Sequence, residues 1–143
     1  MRDSSVKAWS RVHAVLYRST GGILGGRLVG NDMLLLTTQG RRSGEPHTVP
    51  LLFVRDAARL IVIASFGGRD RHPDWYLNLT GDPSVKVRVG GRPRVMVART
   101  ATAGEREAWW PRIVEAYGEY ARYQARTERL IPVVFLDPAP RSP

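Results

Sequence analysis

Three short segments of this 143-residue chain collect the side chains that can hold or move charge. The first is Gly40-Arg41-Arg42-Ser43-Gly44-Glu45-Pro46-His47. Two adjacent guanidiniums and a hydroxyl between glycines suit an anion. The glycines let backbone N–H groups approach it, and each arginine donates charge-assisted hydrogen bonds from a planar fork. The same composition also suits a plain solvated turn. The second segment runs from Ser65 through Phe66, Gly67 and Gly68 to His72, Pro73, Asp74, Trp75, Asn78 and Leu79. Here a strand ends, a glycine pair gives access, and a helix start offers free N–H groups to an anion. It reads equally as an ordinary strand-to-helix loop, with Trp75 and Leu79 in the core either way. The third segment spaces Tyr117, Tyr120 and Tyr123 three residues apart, beside Glu119 and Arg122. Rings with phenolic tips can wall a pocket for a flat ligand and donate hydrogen bonds to it, or pack inward and leave their hydroxyls wet.

No residue set in the chain is a catalyst by itself. Cysteine is absent, which removes disulfides, thiolate nucleophiles and Cys-ligated metal sites. His13, His47 and His72 are not at metal-ligand spacing, and no Gly-x-Ser-x-Gly elbow, Walker loop or carboxylate pair is present. An enzyme built on this chain borrows its chemistry from a bound organic cofactor. The charge points the same way. Twenty-two Lys+Arg against 13 Asp+Glu give a formal +9, which attracts an anionic partner. Only Lys7 and Lys86 are lysine. GC-rich codons explain that ratio as well as function does, but not the net charge. A nucleic-acid partner is not expected, because the arginines are dispersed and no standard motif is present.

The elements that must position these segments follow from periodicity. Val6, Trp9, Val12 and Leu16 give Ser4–Arg18 a helical stripe, with Lys7, Arg11 and Arg18 opposite it. Such a helix packs on its own domain or lies on an anionic membrane surface. Strands are predicted at Met33–Thr38, His47–Arg55, Arg59–Ser65, Val85–Val89 and Arg92–Arg99, with an edge strand at Leu130–Leu136 containing Pro132. Helices are predicted at Pro73–Leu79, with proline at the first helical position, and from Thr102, where Thr102 and Glu105 match a capping box. Pro111 is expected to kink or divide that second helix. The result is a small antiparallel barrel or sandwich, mainly β with flanking helices (α+β). It divides into an N-terminal helix and glycine-rich connector (1–30), one domain (31–138) and a tail (139–143). No signal peptide or membrane span is evident, so a cytoplasmic location is expected, with peripheral membrane contact through the N-terminal helix.

Five pieces in order carry a resemblance: Leu34-Leu35-Leu36-Thr37-Thr38-Gln39-Gly40-Arg41-Arg42-Ser43-Gly44, Pro50-Leu51, Ala64-Ser65-Phe66-Gly67-Gly68, His72-Pro73-x-Trp75-Tyr76-x-Asn78-Leu79, and Ile131-Pro132-Val133-Val134. From about Asp32 to Leu136 the chain resembles the deazaflavin-dependent nitroreductase family. These are actinobacterial split β-barrel oxidoreductases, FMN-binding-like in fold, that use coenzyme F420. The resemblance implies hydride transfer to an electron-poor acceptor such as a quinone, enone or nitroaromatic. It implies a cofactor site at Arg41, Arg42, Ser43 and His47 for the phosphate region. Val49, Pro50, Leu51, Ile63, Ala64, Ser65 and Phe66 would lie along the deazaflavin, with Asp74, Trp75 and Asn78 closing that side. Leu52, Ser65, Tyr117, Tyr120 and Tyr123 match the substrate side, with Ser65 or Tyr120 donating to the acceptor. Two positions depart from the pattern. Phe66 stands where the family often has lysine, and Leu52 stands where the member that activates nitroimidazole prodrugs has an aromatic residue. Alternatives are an FMN-binding split barrel and a non-catalytic deazaflavin carrier.

Overall fold

A computed structural model describes residues 33–140 of the chain. The predicted N-terminal helix, the glycine connector and the last three residues lie outside the described residues. The strands are β1 (Met33–Gln39), β2 (Pro46–Leu52), β3 (Val54–Asp56), β4 (Arg59–Ile63), β5 (Ser84–Arg88), β6 (Arg94–Thr100) and β7 (Val133–Pro138). The helices are α1 (Asp74–Gly81), α2 (Ala103–Ala116) and α3 (Glu119–Ala125). All seven strands join one antiparallel sheet in the order β2-β1-β5-β6-β7-β4-β3. The two border strands, β2 and β3, are separated in sequence by Phe53 alone. One bent stretch of chain therefore borders the sheet on both sides, which curls it into a half-barrel of the split-barrel kind. The predicted strand His47–Arg55 is this stretch, broken once at the corner.

Alternation along each strand sorts side chains to the two faces. Leu34, Leu36, Leu60, Val62, Val85, Val87, Met96, Val134 and Leu136 form the inner core. Trp75 and Leu79 of α1 close it, as their apolar character predicts. Ile61, Ile63, Val133 and Phe135 face outward and are covered by Ile113, Tyr117 and Tyr120. Each such fully buried aliphatic side chain contributes about 1.5–3 kcal/mol.

Three expectations are corrected. β7 is not at an edge but lies between β6 and β4. Pro132 is tolerated because it precedes the strand, where its carbonyl accepts the Ala64 N–H at 3.0 Å and its missing donor never falls on the ladder. Pro73 occupies the cap of α1 rather than its first turn. Pro111 lies inside an unbroken α2. The carbonyl it deprives, on Glu107, belongs to an exposed residue and is open to solvent. The chain instead breaks at Tyr117–Gly118, so the three tyrosines divide between the end of α2 and α3.

The start of α2 is tied to the sheet. Thr102 Oγ1 accepts the Glu105 N–H at 3.2 Å, and Glu105 accepts the Thr102 N–H at 2.8 Å. This is the predicted capping box. The same carboxylate takes both ends of the Arg99 guanidinium, at 2.7 and 3.0 Å. Those arginine bonds, with the Thr102 backbone bond, hold Glu105 down to a pKa of about 2.

Candidate functional site

The β1–β2 connection folds into a tight turn. Gly40 N–H donates to Glu45 O at 2.8 Å, Gly44 N–H donates to Gly40 O at 2.9 Å, and the Gln39 amide also donates to the Gly44 carbonyl. Gly44 has φ +74°, the left-handed region that favours glycine. At Gly40 a Cβ would fall 2.8 Å from Ser43 Oγ, 2.9 Å from His47 Nε2 and 3.0 Å from Glu45 O. The absent side chain is therefore what lets Ser43 and His47 converge on one point. Arg41, Arg42, Ser43 and His47 are all exposed around it.

Helix α1 fixes the first of these arginines. Asn78 Oδ1 accepts both the Arg41 backbone N–H at 3.2 Å and its guanidinium at 2.9 Å. The Asn78 amide nitrogen donates in turn to the buried Thr38 hydroxyl at 3.1 Å. A looser contact joins Arg41 to Asp74 at 3.4 Å. Arg42 makes no hydrogen bond or ion pair with a described residue. The turn thus carries one oriented guanidinium and one facing solvent.

Directly after β4 come Ala64 and Ser65, both buried, and a short 3-10 turn over Phe66–Gly68. Phe66, Gly67 and Gly68 have φ of +49°, +65° and +81°. For Phe66 this left-handed backbone costs about 1–2 kcal/mol. Arg69 and Arg71 stack on its ring at 4.9 and 5.5 Å. Gly68 is required by contact, since a Cβ there would lie 2.7 Å from the Tyr123 carbonyl. The turn is held from below by Arg129, in the loop after α3. Its guanidinium donates to Ser65 O at 2.7 Å, Arg69 O at 2.7 Å and Ala64 O at 3.2 Å, and meets His72 Nδ1 at 3.1 Å.

The tyrosines form a chain of edge-on rings, with centroids 5.9 Å apart for Tyr117–Tyr120 and 6.0 Å for Tyr120–Tyr123. Tyr117 donates its hydroxyl to Phe53 O at 3.1 Å, fixing the chain to the barrel corner. Tyr120 is buried, and no described residue pairs with its hydroxyl. Burial first, then Tyr117, Tyr123 and Glu119, push its pKa well above the ordinary phenol range, so it stays protonated.

The structure therefore brings the sequence-selected residues into two groups. Arg41, Arg42, Ser43, His47, Asp74 and Asn78 gather around the β1–β2 turn and α1. Leu52, Ile63, Tyr117, Tyr120 and Tyr123 share the outer cluster. Of the residues that follow Ile63, Ala64 turns into the inner core, and Ser65 and Phe66 lead into the 3-10 turn. Val49 and Leu51 point instead to the inner core, where Trp75 is also buried, and Pro50 stands between them on β2. Sequence reasoning missed Thr38, the Phe53 carbonyl and Arg129. No local pattern marks any of them, because each acts on a partner more than 35 residues away.

Known proteins match the chain over most of its length. The family model for F420H(2)-dependent quinone reductase matches residues 9–138. An F420H(2)-dependent quinone reductase of Mycobacterium tuberculosis is 36% identical over 132 residues, covering 88% of this chain and 87% of that protein. A solved F420-H2 dependent reductase is 42% identical, with a TM-score of 0.67 over 73% of this chain and 93% of its own. A second solved chain, a domain-swapped dimer, is 36% identical, with a TM-score of 0.70 over 92% of this chain and 98% of its own.

Proposed function

The chain belongs to the F420H(2)-dependent quinone reductase family, and on that premise we propose how its own residues divide the work of an F420-dependent oxidoreductase acting on quinones. Coenzyme F420 is a deazaflavin with a phosphate and an oligoglutamate tail, and when bound it supplies a hydride to an electron-poor acceptor. The donor set at the β1–β2 turn fits its anionic part. Arg41, Arg42, the Ser43 hydroxyl and the backbone around the Cβ-free space at Gly40 match phosphate and carboxylate acceptors. Asn78 holds Arg41 aligned before any ligand arrives, which lowers the ordering cost of binding. His47 adds a ring nitrogen at the same point. The backbone of Ile63, Ala64, Ser65 and Phe66 and that of Val49, Pro50 and Leu51 give the ring system its walls, and Asp74, Trp75 and Asn78 close the helix side.

The acceptor is assigned to the tyrosine side. Leu52, Tyr117, Tyr120 and Tyr123 provide an apolar, water-poor surface that suits a quinone ring. Tyr120, kept as a neutral phenol, donates a hydrogen bond to the acceptor oxygen as charge develops there, with Ser65 as the second donor. Phe66 and Leu52, where relatives have lysine and an aromatic residue, make this surface more apolar. In the sequence, Lys7, Arg11 and Arg18 support peripheral contact with an anionic membrane, where quinones reside. No helix among the described residues is long and apolar enough to cross a membrane.

The observation that carries this reading is the Asn78-aligned Arg41 beside Arg42, which no described residue pairs, on a glycine turn. Titrating the protein with F420 by fluorescence tests it. Two charge-assisted bonds at about 1.5–3 kcal/mol each make the Arg41→Ala/Arg42→Ala variant bind about a hundredfold or more weaker. Unchanged affinity would sink the phosphate assignment, and turnover with FMN alone would overturn the cofactor.

A further inference from the structure

The division of work proposed above gives Arg129 no part, yet its side chain is committed to the backbone on both sides of the Phe66 turn. Its Nε and both terminal nitrogens are spent on backbone carbonyls of Ala64, Ser65 and Arg69, and on His72 Nδ1. None of these is a carboxylate, so the contacts are directional rather than a simple charge pair. The carbonyls bracket three successive left-handed residues, Phe66 to Gly68. Backbone held in that region persists only where its surroundings over-determine it. On the far side the turn is pressed against Tyr123, where no Cβ fits at Gly68.

We propose that Arg129 is a positioning residue that, seated on His72, sets the Ala64–Gly68 backbone against the bound cofactor. This rests on the assignment of that backbone to the cofactor wall. His72 is the one acceptor in the set that can gain a proton. Its Nδ1 accepts from Arg129 only while the ring is neutral, and a protonated ring would face a guanidinium 3.1 Å away. The groups facing His72 are Arg129 from the loop after α3 and Tyr76 of α1, whose ring lies 4.8 Å from it. Asp70, in the same loop as His72, acts on Arg129. Burial and Arg129 both move His72 below its ordinary range, so the seat persists through neutral pH.

The full-length protein tests this with Arg129→Lys, whose compact ammonium cannot span the acceptors, and with His72→Asn, which keeps an acceptor but cannot titrate. Amide exchange of the cofactor-free protein at Gly68 and Arg69 is expected to rise at least tenfold in Arg129→Lys. With F420 and a quinone, its kcat is expected to fall at least tenfold, while F420 affinity changes less than fivefold because the Arg41 turn is intact. In His72→Asn the acid limb of the wild-type kcat profile is expected to disappear. Wild-type exchange and kcat in folded Arg129→Lys would overturn the proposal. Should that variant not fold, an acid limb in His72→Asn identical to wild type overturns it instead. Failure of the wild-type protein to bind F420 would strike at the cofactor assignment, whereas the exchange result in the cofactor-free protein stands apart from it.

Discussion

One oxygen of Asn78 accepts from both the backbone and the guanidinium of Arg41, so a residue of α1 sets where a side chain of the β1–β2 turn points. Through its nitrogen the same amide reaches Thr38, itself 1% exposed. Replacing Asn78 with alanine leaves the buried Thr38 hydroxyl without its donor and the Arg41 N–H groups without their acceptor, at a cost of about 1–3 kcal/mol. A melting temperature several degrees lower is expected, together with an F420 affinity reduced about tenfold. An affinity equal to wild type would show that Arg41 needs no alignment.

The glycine pair after Phe66 separates backbone strain from contact. Gly67 has φ +65° and open space around its Cβ position, so Gly67→Ala is expected to cost about 1–2 kcal/mol from conformation alone. Gly68 has φ +81° and the Tyr123 carbonyl at 2.7 Å. Gly68→Ala is therefore expected to cost more than its neighbour, about 3 kcal/mol or above. Equal midpoints in urea for the two variants would show that the turn does not press on α3.

Much of this architecture is legible in the sequence. Alternation at Leu34, Leu36, Leu60 and Val62 marks strands, and Thr102 with Glu105 marks a helix start. The turn at Gly40–His47 is visible from residue types alone. What escapes is whatever depends on pairing between distant segments. Pro132 suggests an edge because the sequence does not show that the proline lies one residue before a central strand. Three tyrosines at three-residue steps suggest one helix, because the break at Gly118 follows from tertiary packing. Arg129 carries no local signal, since its acceptors are backbone carbonyls about 60 residues earlier.

Tyr120 offers a test of the acceptor side. No described residue pairs with its hydroxyl, so Tyr120→Phe is expected to leave the melting temperature within a few degrees. If the phenol donates to the acceptor oxygen, kcat falls about a hundredfold while F420 affinity holds. Full kcat in Tyr120→Phe would pass the donor role to Ser65.

Two acid-side stability transitions are expected in separate windows. His72 has a folded pKa below its ordinary 6.5, so its contribution is present above that value and is lost as pH falls toward the lowered one. Glu105 has its pKa lowered from 4.5 to about 2, so its contribution is present above 4.5 and is lost between there and about 2. His72→Asn is expected to flatten the upper transition and Glu105→Gln the lower. Urea midpoints across pH distinguish them, and a single transition removed by neither variant would refute both assignments.

The position of β7 has a consequence for how the protein is made. Latest in sequence among the described strands, it is the only link between β6 and β4. A nascent chain that has emerged only as far as Leu130 holds two unjoined pieces of sheet, which meet through β2 and β3 alone. The half-barrel therefore closes only when residues 133–138 leave the ribosome, and a premature stop before Val133 abolishes folding rather than trimming the product.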